Sequence, residues 1–484
     1  MSGAIVVIGS GVNELVAAHF LARAGHEVVV LEQHTPDDDF PSGWIAPDIV
    51  RQLALSQVNA EHPLRIGQPD PWIAAALPDG GRLELWRDPV RSADAIRRLS
   101  TRDAARWPEF CDRMARFARV LEKLYTAPPP DILSKDWREL ARIAGLGIHV
   151  RRLGRRGMEA FLRLLPMPVA DLLDDWFESD ALKGVLAGAA MMDLCQGPRS
   201  GGTAFRLLHH HVGNAPGVFR PVRTNIRWIL EKRPGISLRH RAGVTRIAVR
   251  ERRAVAVVLE SGEEIAARCI VSGVDPRRTL LDWLDPGWLD PEFTRAVRHI
   301  RSRGVVARVV LTLDGEPGFN RLALAPSLDY VERAYDDAKH ARMSAHPYIE
   351  AHAADSPAHA VVAHVQYVPY ALSNGAWDEA KRAALGERVV AILDRASPGF
   401  GARVTARRVL VPPDLEALYG YPQGQAHHAE LALDQALWMR PLPDCAAYRT
   451  PIEGLYLCGP ATHPGGAIAG ASGANAARIV LEDL

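Results

Sequence analysis

The chain opens AIVVIGSGVNELVAAHFLARAGHEVVVLEQ, and no other stretch limits its fold as strongly. Ala4 to Ile8 is a continuous apolar run, as a parallel strand buried on both faces requires. Gly9-Ser10-Gly11 interrupts it, Leu15 to Ala24 carries helical spacing, Gly25 stops the helix, and Val28 to Leu31 forms a second buried strand ending at Glu32. Together these make a βαβ unit with dinucleotide spacing. The first glycine allows the tight turn, the second lets the backbone approach a pyrophosphate, and the distal carboxylate accepts from a ribose hydroxyl. The spacing makes Gly9, Gly11 and Glu32 the candidate dinucleotide contacts, while the architecture alone leaves binding a separate question. A signal sequence or membrane span is not expected here, because a basic leader segment is missing and His19, Arg23, His26 and Glu27 fall inside the run.

Glu14 stands where the third small residue of the fingerprint belongs, the one that lets helix and strand pack closely. A glutamate there either overpacks the crossing, at about 1 to 3 kcal/mol, or swings out beside the phosphates and repels them. A third reading turns it to solvent or onto an arginine.

The chain ends GLYLCGPATHPGGAIAGASGANAARIVLEDL, a strand from Gly454 to Gly459, a glycine-rich loop from Pro460 to Gly473 and a helix from Ala474 to Leu484. The helix N-terminus would stabilise negative charge on the reduced ring of a flavin. The alternative is a loop that merely joins strand to helix.

Between these ends, Ser92 to Leu124 and Trp137 to Leu194 read as helical, the second block broken by Pro166 and Pro168. Ala181 to Leu194 is nearly uncharged and reads as a core helix or the wall of an apolar pocket. From Gly243 the period changes to two, giving an antiparallel meander with Ser261-Gly262 as a turn. Gly304 to Leu313 and Ala360 to Tyr367 are further strands, and Trp377 to Ala396 a helix. With 58 Lys and Arg against 57 Asp and Glu, no overall basic field favours nucleic acid. Only six of those cations are lysines, which leaves few groups for lysine chemistry. Five cysteines without a CxxC pair argue against a disulfide framework or zinc site and fit a reducing, cytoplasmic compartment.

The stretches VVIGSGVNELVAAHFLARAGHEVVVLE, LPDGGRLELWRD, RAGVTRI with IVSGVDPRRTLL, and LALDQALWMRPLPDCAAYRTPIEGLYLCGPATHPGGAIAGASGANAA together resemble the phytoene desaturase-like group of FAD-dependent oxidoreductases, most nearly the branch named after the pyridine nucleotide-disulfide oxidoreductase domain-containing protein 2. The resemblance implies an α/β fold: a glutathione-reductase-like, FAD/NAD(P)-binding Rossmann domain with an inserted α+β substrate domain. It implies a discontinuous FAD-binding domain over 1–70, 205–285 and 420–484, and a substrate domain over 71–204 and 286–419. It further implies FAD as cofactor and hydride transfer from a hydrophobic small-molecule substrate to flavin N5. Gly9 and Gly11 would meet the pyrophosphate, Glu32 the adenosine ribose and Val244 the adenine edge through its backbone. Gly459, Gly465, Gly466 and Ala467 would lie beside the ribityl chain and flavin. Besides Glu14, two features depart from the family pattern. QHTPDDDFPSGWIAPDIV carries Asp37, Asp38 and Asp39 and only Gly43 where a second glycine-pair loop is expected, and FRPVRTNIRWILEK replaces a glycine-rich segment.

His463 in THPGG is the catalytic candidate by its place beside the flavin loop, with loop bracing as its other reading. His427 and His428 are set to line the pocket. His209, His210 and His211 are adjacent on one helix and do not converge on an ion, so no metal is expected and the run reads as a helix surface or domain interface. Two functions stay open. One is an FAD-dependent oxidoreductase, with room for peripheral membrane contact and for homo- or hetero-oligomers. The other is a degenerate relative with weak or no FAD binding that acts as a structural or regulatory partner of an active flavoenzyme. A simple NAD-dependent dehydrogenase is a third reading, which would not require the C-terminal glycine loop.

Overall fold

The computed structural model describes residues 3–34, 43–55, 64, 66–67, 69–131, 135–354 and 359–484. Asp37, Asp38 and Asp39 lie outside the described residues.

In chain order, β1 (Ala4–Ile8) leads through the glycine turn into α1 (Val12–Arg23) and β2 (Val28–Glu32). Helices then dominate: α2 (Thr101–Tyr125), α3 (Trp137–Arg151), α4 (Gly154–Leu164), α5 (Val169–Trp176), α6 (Asp180–Met191) and α7 (Thr203–His211). The chain returns through β3 (Ser237–His240), β4 (Val244–Arg250), β5 (Arg253–Leu259) and β6 (Glu264–Ser272), and ends on β7 (Leu455–Leu457) and α8 (Ala471–Asp483). α8 starts three residues before the predicted Ala474, because Gly470, at φ 71°, supplies the left-handed turn that launches it.

The first sheet runs β3-β2-β1-β6-β5-β4, with β7 on β6. β1, β2, β3 and β7 are parallel, and β6 changes role along its length. Its first residues pair antiparallel with β5, whereas Ala267 to Ser272 pair parallel with β1. The meander thus feeds directly into the nucleotide-type sheet. Two helices cover this sheet together, since α1 and α8 cross where Gly473 meets the Asn13 carbonyl so closely that a Cβ would stand 1.8 Å from it. Both glycine-rich ends of the sequence meet at this crossing.

A second seven-stranded sheet is built from strands at 73–76, 82–85, 306–313, 321–324, 349–353, 360–366 and 404–410. Helices α2, α5, α6 and α7 bury Trp107, Phe110, Leu173, Leu186 and Leu207 in one apolar cluster beside it. The nearly uncharged α6 is a core helix, and its Gly184 and Gly188 admit the Ala325 carbonyl and the Tyr348 ring.

Candidate active site

Gly9 takes φ +103°, a conformation that a side chain would strain, and Gly11 caps α1 in an extended conformation. The Ser10 amide donates to Glu32 Oε2 at 2.7 Å and the His34 amide to Oε1 at 2.7 Å, which aims the carboxylate across the turn. Ala242 N–H donates to the Glu32 carbonyl at 2.9 Å, so Val244, at the start of β4, sits next to the strand end that carries Glu32. Gly11 is exposed and Glu32 half-buried. A glycine at positive φ, an exposed second glycine and a carboxylate at the strand end fit an ADP moiety.

Glu14 follows neither course open to an exposed side chain. It is buried, and no arginine pairs with it among the described residues. Its carboxyl fills the space between three glycines: a Cβ on Gly11 would stand 2.4 Å from Oε2, one on Gly273 1.9 Å from Oε1, and one on Gly9 3.2 Å from Cγ. The overpacking expected of a glutamate is relieved because Gly273, at the end of β6, has no side chain. Burial pushes the Glu14 carboxyl up to about 8, opposed by its own backbone amide and assisted by the charge of Glu32. Oε1 has no hydrogen-bond partner. At neutral pH the group therefore carries its proton, and the expected repulsion of phosphate is absent there. Gly273 in IVSGVDP was the sequence signal for this accommodation.

At the other two departures the described residues pack against the protein. Gly43, at φ +85°, lies against the Ala467 carbonyl, and Trp44 N–H donates to that same oxygen at 2.8 Å. The segment after β2 thus docks on the C-terminal loop. The glycine-free stretch forms a helix, Ile226–Lys232, whose Leu230 carbonyl accepts from His19 Nε2 at 2.8 Å.

On the loop itself, Gly459 lies against the Gly273 carbonyl, Gly465 against the Arg440 guanidinium and Gly466 against the His427 ring. Ala467 holds a left-handed φ of 68°. Arg440 is fully buried and donates to six carbonyls, those of His427, Ala429, Glu430, Gln435, Pro460 and Thr462. Burial, and then Arg206 beside it, pull its guanidinium down to about 9, still a cation at neutral pH. Arg206 is equally buried and donates to the Met192 carbonyl at 2.7 Å, while its Nε and Nη1 have no partner.

The three consecutive histidines are not a surface feature. All are buried, and each ring has a separate partner: His209 Nε2 donates to the Gly466 carbonyl at 2.5 Å, His210 Nδ1 to Ala189 and His211 Nδ1 to Val218. Tyr125 completes His209 by donating to Nδ1 at 2.9 Å. Burial and then the charge of Arg206 pull His209 down to about 3. His463 Nε2 donates to the Leu124 carbonyl at 3.0 Å, and its own carbonyl accepts from Tyr448 and Ser472. Burial pulls its ring down to about 4. His427 is buried and His428 half-buried, and desolvation pulls both rings below the ordinary imidazole value. The result is a cluster of neutral imidazoles around two buried guanidinium groups, which favours negative charge beside the loop. Sequence reasoning missed Arg206, Arg440 and Tyr125, because a buried arginine has no local signature.

Gly466→Ala would place a methyl 2.0 Å from His427 Nδ1. A loss of about 1 to 3 kcal/mol is expected, checked by thermal or urea denaturation.

A Rossmann-type sheet, a second sheet and a C-terminal glycine loop packed on the first helix are the frame of the candidate site. The flavin containing amine oxidoreductase family matches residues 54–481, and an NAD(P)-binding Rossmann-like domain matches residues 7–66. The chain belongs to that flavin containing family, and FAD is the cofactor the family and the Rossmann-like segment specify. Pyridine nucleotide-disulfide oxidoreductase domain-containing protein 2 of Rattus norvegicus is 29% identical over 546 residues, with 99% of this chain and 93% of the relative covered. A limonene dehydrogenase component of Castellaniella defragrans is 24% identical over 99% of this chain and 94% of that one. Among solved structures, a putrescine oxidase with redesigned cofactor binding aligns at a TM-score of 0.59 and 14% identity, covering 99% and 98% of the two chains. That last likeness concerns the fold.

Proposed function

We propose that this flavoprotein oxidoreductase dehydrogenates a hydrophobic substrate. The carrying observation is the meeting of the Glu32-bearing turn and the C-terminal glycine loop across α1 and α8, beside buried Arg206 and Arg440. When bound, FAD supplies a two-electron acceptor for a hydride from substrate carbon, and the proton of the neighbouring carbon passes to water. Gly9, Gly11 and Glu32 hold the ADP half, with Val244 at the adenine edge, and Gly459, Gly465, Gly466 and Ala467 form the loop at the flavin half. Arg206 and Arg440 favour the negative charge that accompanies reduction. His463 serves as a positioning residue that braces the loop, since its Nε2 is committed to Leu124.

Support for a largely apolar substrate comes from a cavity of about 110 Å³ whose wall is mostly apolar, with Phe110, Phe117 and Trp176 in it, and also carries the charged Arg113, Arg163 and Asp175. One wall is α2, whose last residue, Tyr125, touches His209. From Phe117 to Tyr125 the helix rises roughly 12 Å, so a single rigid element joins the cavity to the loop.

The absorbance spectrum of the purified chain, with and without added FAD, tests the reading. Flavin bands that remain with the protein after desalting are expected. No bound flavin after incubation with excess FAD would instead favour the non-catalytic partner role.

A further inference from the structure

Helix α3 has no buried residue among its described side chains, although its sequence is WRELARIAGLGIHVR. Trp137, Leu140, Ala144 and Ile148 follow one another at helical spacing and share a face. That face is turned to solvent: Trp137 is 72% exposed, Leu140 51% and Ile148 51%. On the other side Val150 packs against the helical core, so the helix is attached to the protein along one stripe while a second apolar stripe faces water. Leu162 on α4 adds another exposed apolar side chain, at 54%.

The charge around this stripe is predominantly positive. Between 135 and 163 there are eight Lys or Arg against three Asp or Glu, whereas the whole chain is balanced to +1. Arg151, Arg152, Arg155 and Arg156 are exposed at the corner between α3 and α4. Arg155 pairs with Glu159, and among the described residues no carboxylate pairs with Arg151, Arg152 or Arg156. No helix among the described residues is long and apolar enough to cross a membrane.

We infer that α3 and the α3–α4 corner dock this protein on the surface of an anionic lipid bilayer. An in-plane helix of about 22 Å would place Leu140 and Ile148 at the acyl boundary, Trp137 at the headgroup level and the arginines on lipid phosphates. A second copy of the chain fits the patch less well, because a two-fold contact would bring two arginine corners together. The inference does not depend on flavin chemistry.

Flotation of the full chain with vesicles tests it. Binding is expected to vesicles of phosphatidylcholine containing about one-third phosphatidylglycerol, and not to phosphatidylcholine alone. Arg151→Glu, Arg152→Glu and Arg156→Glu together should weaken binding about a hundredfold. Trp137→Glu with Ile148→Glu should weaken it at least about tenfold. All five positions are exposed, and an unchanged melting temperature would show that the fold is intact. The inference is overturned if the chain ignores both vesicle types, if charge reversal leaves binding unchanged, or if the chain self-associates without lipid and Trp137→Glu makes it monomeric.

Discussion

Glu14→Gln is expected to stabilise the folded chain by on the order of 3 kcal/mol at pH 7, and by almost nothing at pH 4.5. In the unfolded chain the Glu14 carboxyl loses its proton near its ordinary value of 4.5, whereas in the folded chain burial holds the proton until about pH 8. The unfolded state therefore binds fewer protons between these values, and stability falls as pH rises through that window. Below pH 4.5 both states are protonated and the contribution is fully present; above about pH 8 it is lost. Glutamine keeps the shape of the protonated acid and does not titrate, so the stability difference between variant and parent should grow with pH and level off near 8. Urea denaturation at several pH values checks this, and a constant difference would refute a buried, neutral Glu14. The same titration reaches the cofactor. The carboxyl lies over Gly11, where the pyrophosphate approaches, so FAD meets a neutral acid at pH 7 and a carboxylate well above pH 8. The parent's affinity for FAD should drop about tenfold per pH unit above that point, while Glu14→Gln stays flat, as read by quenching of FAD fluorescence. Gly273→Ala should destabilise the parent, since a methyl there meets Glu14 within 2 Å, and should be tolerated in a Glu14→Gly background.

What was legible in the sequence was local. The β1–α1–β2 unit follows from one apolar run, a glycine turn and a helical period, signals that all lie within about 30 residues of one another. The meander was equally readable, because period-two alternation and the Ser261-Gly262 turn are local too. The second sheet was mostly hidden, and only two of its seven strands were anticipated. Strand 349–353, which was not anticipated, places Glu350 and His352 in the interior, so polar residues occupy positions that pattern reading treats as exposed. The histidine run read as a helix surface or a domain interface, and only the surface half of that reading fails: Tyr125 and Gly466 arrive from distant segments to satisfy His209. Glu14 was seen as an anomaly, yet its resolution depends on Gly273, 259 residues further on. Long-range partners, rather than weak local signals, set the boundary of what the sequence disclosed.

The buried charges of the second sheet lead to the other large effect. Arg220 and Glu350 are both almost fully buried and form an ion pair, with Tyr348 Oη accepting from the same guanidinium at 2.5 Å and Arg321 Nη1 lying 3.5 Å from Glu350 Oε1. Each charge left water on folding, a large cost offset only while the partners remain together. Glu350→Ala would remove the carboxylate that faces both guanidinium groups, and about 3 to 5 kcal/mol of stability should be lost. Glu350→Gln keeps the acceptor oxygen but not the charge and should lose less. The contact ties the segment following α7 to strand 349–353, so it links the element carrying Arg206 and His209 to the second sheet. A purely local role would lower the melting temperature without touching the loop. If the pair also sets the position of α7, Glu350→Ala should weaken the hydrogen bond from His209 to the Gly466 carbonyl and speed amide exchange at Gly466 and its neighbours. Hydrogen exchange of the loop at a temperature where the variant is still folded separates the two outcomes.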